Sequence, residues 1–264
     1  VGVALSSCQK KFDPSTYAPP LDIGGYTSSN GVATSNLVAK WSFDDSLIDS
    51  VSNTAGTATG TTFNAGVRGR ALQGANNAWV LTTPSASVTG LQSFTLTEWV
   101  STPPPSTGVI GLFSLANTTQ FWGNLEIFIE NGSTNENGKL RIHMFNGTDD
   151  KTFAVDGVPN LFDKFVNIGV SYDAATGNCK LYVNGSRIRQ GTVGGLTGPL
   201  SFKNTGNIVF GCVQFMTSPS QTTSHGSEPW ASFLTGKLDE VRIYNKALTD
   251  LEVSAIVKLE GRGK

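Results

Sequence analysis

The sequence predicts an all-β sandwich, and three observations carry that prediction. Thirty Gly and eleven Pro among 264 residues leave little room for long helices. Short runs that alternate apolar and polar residues recur along the chain, closed by turn pairs such as Asn146-Gly147, Asp156-Gly157 and Asn184-Gly185. A hydrophobic content of 38%, with 15 Phe and 5 Trp, supplies the apolar volume for one sizeable core. The 19 basic and 20 acidic residues cancel, so no net field draws nucleic acid or an anionic membrane. No later apolar run approaches the ~20 residues of a membrane-spanning helix.

The elements follow in order. The opening Val1-Gly2-Val3-Ala4-Leu5-Ser6-Ser7-Cys8 looks like the end of a secretory signal peptide. Its last four residues resemble a bacterial lipobox, so residues 1–8 are expected to end in a lipid-modified Cys8. The protein would then be exported and meet the membrane only through that anchor. Residues 9–36, rich in Pro, Ser, Thr and Gly, read as a flexible tether, part of which could pack on the domain as an extended strand. The domain occupies 37–264. Its strands are expected at 37–43, 78–81, 94–100, 109–115, 125–130, 140–145, 166–172, 179–183 and 238–244. Thr249-Asp250-Leu251-Glu252 is a capping box, and Ala255, Ile256 and Leu259 follow at helical spacing, so one C-terminal helix is expected. Cys179 and Cys212 sit in strand-like runs; buried thiols are favoured over a disulfide, although export would permit one.

Five segments resemble one family in the same order. They are Trp41-Ser42-Phe43-Asp44 with Asp49-Ser50 downstream, G-V-R-G-R-A-L from Gly66, and S-F-T-L-T-E-W-V from Ser93. Y-D-A-A-T-G-N-C-K-L-Y-V-N-G from Tyr172 and G-K-L-D-E-V-R-I-Y-N-K-A-L-T-D from Gly236 complete the set. Together they resemble the laminin-G-like domains of the concanavalin A-like lectin/glucanase superfamily. The resemblance implies a jelly roll of two antiparallel sheets with loops at its rim. The lipobox and tether resemble those of Bacteroidetes-type surface lipoproteins, which implies an outer-membrane, cell-surface location.

Asp239 shares strand parity with Val241 and Ile243, so alternation points its carboxylate inward, where a charge needs compensation. A structural Ca²⁺ would supply it, with Asp44 and Asp45 on the other side. The family resemblance implies the same metal between the first and last strands. Glu98 falls by alternation with Leu96 and Val100, and a β-bulge turning it outward is the expected escape.

No catalytic residues are identified. Glu126 and Glu130 share parity but lie ~13 Å apart along a strand, beyond the ~5–9.5 Å of paired glycosidase carboxylates, and read as solvated. His143 reads as structural, and no nucleophile or metal-ligand motif appears. Sugar-binding sites place aromatic faces against C–H surfaces and planar polar groups against hydroxyls. Trp122 with Phe121 and Asn124, and Trp230 with His225, occupy irregular segments and are the candidate ligand-binding residues. The loop 217–235 exceeds the usual connection length. The sequence therefore points to a non-catalytic surface protein that binds polysaccharide or glycan, with neighbouring glycan-uptake proteins as partners. An adhesion or protein-interaction module ranks second, and a glycoside hydrolase or polysaccharide lyase third.

Overall fold

The computed structural model describes residues 21–148 and 150–264. In chain order the strands are β1 (Leu37–Trp41), β2 (Ile48–Asp49), β3 (Thr54–Thr59), β4 (Thr62–Ala65), β5 (Arg70–Gln73) and β6 (Trp79–Thr82). A single helical turn, α1 (Ala86–Thr89), precedes β7 (Phe94–Ser101), β8 (Val109–Asn117), β9 (Leu125–Ile129), β10 (Gly138–Phe145) and β11 (Asp150–Val158). Then come β12 (Val166–Asp173), β13 (Asn178–Val183), β14 (Ser186–Thr192), β15 (Thr205–Phe210), β16 (Ala231–Ser232) and β17 (Lys237–Tyr244), and finally α2 (Asp250–Glu260).

The strands form two sheets. One has the order β14-β13-β12-β7-β17-β5-β4, with β1 also paired to β17. The other has the order β11-β10-β9-β8-β15-β6-β3-β2, with β16 paired parallel to β8. Alternation explains the stacking. Leu125, Ile127 and Ile129 of β9 and Leu140, Ile142 and Met144 of β10 face Leu96, Val100, Val170 and Leu181 of the opposite sheet in one core. Trp41, Phe43 and Phe113 surround Phe210 edge-on, with ring centroids 5.0, 5.4 and 5.8 Å away. Cys179 belongs to this core and Cys212 to the layer outside the second sheet; both thiols are free and buried.

The outer face of the first sheet is closed by α2. Its capping box forms as expected, Thr249 Oγ1 accepting from Glu252 N while the Glu252 carboxylate accepts from Thr249 N. A buried ion network fastens it. Glu260 accepts from Arg242 Nε at 2.6 Å and from Trp99 Nε1 at 2.8 Å. Arg242 also bonds Glu240 and Ser29. Burial pushes the Glu260 carboxyl up, against the pull of Arg242. The segment 21–36, read as the end of a tether, packs here. Ser29 and Val32 are buried, Gly24 lies against Leu251, and the backbone forms short 3₁₀ turns instead of an extended strand. Cys8 lies outside the described residues. Among the described residues no helix is long and apolar enough to cross a membrane.

Two expectations are corrected by one bulge. The β17–β7 register slips between Asp239 and Arg242, with Glu240 at φ +44°. The extra residue inverts the alternation, so Asp239 pairs with Trp99 on the helix-covered side, while Val241 and Ile243 stay in the core. The bulge therefore sits in β17 and not in β7. Strand β7 runs straight, and Glu98 is fully buried with neither carboxylate oxygen hydrogen-bonded. Desolvation alone pushes its carboxyl up to about 8.

Candidate functional site

With one outer face covered by α2, the outer face of the second sheet is where a site can form. Outward side chains make a row across it. Ser114 of β8 is opposite Glu126 of β9, which is opposite His143 of β10, itself opposite Thr152 of β11. Glu126 is buried, not solvated as its sequence position suggested, and two loops cover it. Its oxygens accept from Gly123 N and Gln214 N, both at 2.9 Å. Burial pushes this carboxyl up while the two amides and His143 oppose the shift. The buried Gln214 completes the clamp. It accepts from Asn117 N and donates to the carbonyls of Gln120 and Phe121. Gly123 permits the approach, because a Cβ there would meet Ser114 Oγ and Leu115 O within 3 Å.

The clamp positions an aromatic layer. Trp122 stacks on His143 and Phe128, at centroid distances of 4.4 and 4.9 Å. His143 is held by Asp150 through Nδ1. Phe121 meets Trp122, Phe215 and His225 at 5.1, 4.9 and 4.3 Å and stacks on Trp230 at 6.0 Å. His225 Nε2 pairs with Glu228. Trp122 and Phe121 are therefore half-buried supports, while Trp230 is 40% exposed. Asn124 is a correction. It is fully buried, its amide donating to Ala116 O and Lys203 O and its oxygen accepting from Lys203 N, so no hydrogen-bonding capacity faces a ligand.

The loop 217–235 lies across this layer and is tied down. Thr222 and Thr223 hydroxyls donate to Gln120 O and Thr118 O. Between the loop and the start of β6 lies a groove of about 820 Å³. Trp79 and Phe233, stacked at 6.1 Å, form its aromatic wall. Asn77, Thr217, Ser218, Ser227 and Glu228 supply polar atoms around it. Pro229 and Ala231, the neighbours of Trp230, line the same groove. The sequence placed the loop and Trp230 in the site but not Asn77, Trp79 and Phe233. A single sequence carries no signal that brings residues 77–79 beside 226–233.

The three carboxylates expected around calcium are otherwise engaged. Asp239 accepts from Val67 N, Arg68 N and Glu240 N. Burial still pushes it up to about 7, against the pull of these amides. Asp44 accepts from Arg70 N at 2.7 Å, and Asp45 pairs with Arg70 Nε at 3.4 Å. Among the described residues no group of three His, Cys, Asp or Glu side chains is placed to hold a metal. At Asp239 backbone amides supply part of the compensation that the sequence reading assigned to calcium.

Residues 74–254 match a laminin G family model (Laminin_G_3) described as the concanavalin A-like lectin/glucanases superfamily. The chain belongs to that superfamily. No curated protein sequence matches it. Among solved structures, its fold is similar to the binding domain of botulinum neurotoxin DC. In the complex with rat synaptotagmin II the TM-score is 0.61 at 13% identity, covering 86% of this chain and 52% of that one. In the complex with SialylT the TM-score is 0.61 at 14% identity, covering 88% and 52%. Botulinum neurotoxin type C, whose cell entry is dependent upon interaction with two ganglioside molecules, gives a TM-score of 0.62 at 13% identity, covering 86% and 52%. This superfamily member spans about half the length of those chains.

Proposed function

We propose that the protein is a non-catalytic carbohydrate-binding domain whose ligand lies along the loop 217–235. One observation carries this reading: an exposed indole, Trp230, stands beside a groove with an aromatic wall and a hydroxyl- and amide-bearing rim. Sugars present C–H faces and hydroxyls, and this pairing of surfaces meets both. Membership of a lectin-containing superfamily supports it, as does the likeness in fold to a SialylT-complexed domain and to a neurotoxin whose cell entry depends on gangliosides. Catalysis has no comparable support, since Glu126, the acid in the outward row of the second sheet, is covered and has both oxygens bonded. In the same reading Cys8 carries a lipid that holds the domain at the cell surface, beside glycan-uptake proteins and their polysaccharide.

The test is a plant, host and microbial glycan array followed by calorimetry on the hits. Trp230→Ala is expected to weaken a hit about tenfold; because the ring also packs on Phe121, Trp122 and Phe215, a cooperative thermal transition of the variant is the check that it is folded. A blank array with folded protein, or hits indifferent to Trp230, overturns the reading.

A further inference from the structure

We propose that the groove takes an uncharged saccharide and that Glu228 makes the site discriminate against acidic sugars. This rests on the glycan-binding reading and names its ligand class. Among the described residues lining the groove, Glu228 alone carries a charge, and no Lys or Arg is among them. Two rim hydroxyls have no proton to offer an acidic ligand. Thr217 Oγ1 donates its proton to Pro219 O at 2.7 Å, and Ser220 Oγ donates to His225 O at 2.8 Å. Both protons are therefore spent within the loop, and the two oxygens also accept there, Thr217 Oγ1 from Gln221 Nε2 at 3.5 Å and Ser220 Oγ from Thr222 N at 3.2 Å. Glu228 gives one oxygen to His225 and keeps further acceptor capacity, since an ionised carboxylate has about four lone-pair sites.

With those two hydroxyls committed, the side-chain donors left on the rim are the Asn77 amide and the Ser218 and Ser227 hydroxyls. Neutral sugar hydroxyls donate as well as accept and suit such a rim. A carboxylate or sulfate only accepts, needs clustered donors or a cation, and would approach Glu228 with like charge. The volume, about 820 Å³, lies within the roughly 300–1,000 Å³ of small-ligand sites. An oligosaccharide segment could therefore be engaged beyond a single exposed ring.

The experiment measures binding of the full chain to matched pairs that differ by one acidic group. Suitable pairs are lactose with sialyllactose, xylo- with glucuronoxylo-oligosaccharides, and galacto- with galacturono-oligosaccharides. The neutral member is expected to bind and its acidic partner to bind about tenfold more weakly or worse. In Glu228→Gln that ratio should fall toward one. Acidic members binding as well as neutral ones, or a ratio unmoved by Glu228→Gln, overturns the proposal while leaving glycan binding standing. A blank on every member of every pair fails the glycan-binding reading itself, and this inference with it.

Discussion

Glu98 is the side chain whose perturbation can be worked furthest. It is fully buried on β7, neither oxygen has a hydrogen-bond partner, and desolvation pushes its carboxyl from the ordinary 4.5 to about 8. The folded state therefore holds a proton that the unfolded chain releases. The stability associated with that proton is fully present below pH 4.5 and is lost as pH rises through 8. Between pH 5 and pH 8 the loss from this group amounts to about 3 kcal/mol, approaching ~1.4 kcal/mol per pH unit at its steepest. Glu98→Gln keeps the shape and cannot ionise. Leaving an amide unpaired carries its own cost, but that cost does not depend on pH. Denaturant unfolding followed by tryptophan fluorescence, at intervals from pH 5 to pH 8, measures both proteins under the same titration of every other group. The stability difference should move in favour of the variant by about 3 kcal/mol across that window. Parallel pH profiles for the two proteins would refute the assignment of Glu98 as a buried, proton-holding side chain.

Three further outcomes are expected. Glu260→Ala leaves Arg242 and the Trp99 indole short of a partner and should cost about 3–5 kcal/mol of unfolding free energy, against under about 1 for Glu136→Ala on an exposed turn. Thermal unfolding with added calcium and with chelator tests the expected metal at Asp239: a calcium-dependent rise in midpoint supports it, and midpoints agreeing within about 1 °C overturn it. In a bacterial host fed labelled fatty acid, the wild-type chain should take up label and Cys8→Ser should not.

What the sequence determined by itself is the class of fold and its best-patterned parts. Strands with one face in the core announced themselves by alternation, as in Val166–Asp173 and Leu125–Ile129, and the capping box marked the start of α2. Strands without that pattern escaped notice. Ser186–Thr192 is an exposed edge, and Thr54–Thr59 buries no residue on either face, so neither needs apolar residues at period two. The tertiary structure decided the rest. A single extra residue at Glu240 turned Asp239 away from the core, and period-two reasoning cannot survive an insertion it does not see. Glu126 looked like a solvent-facing acid until loops from 118–124 and 211–216 closed over it. Trp230 was legible as a candidate from its loop alone, whereas Asn124 looked the same and is interior. Their difference, like the meeting of Trp79 with Phe233, depends on contacts between residues distant in sequence. Local pattern specifies which face of a strand is apolar, but only the packed chain specifies what covers that face.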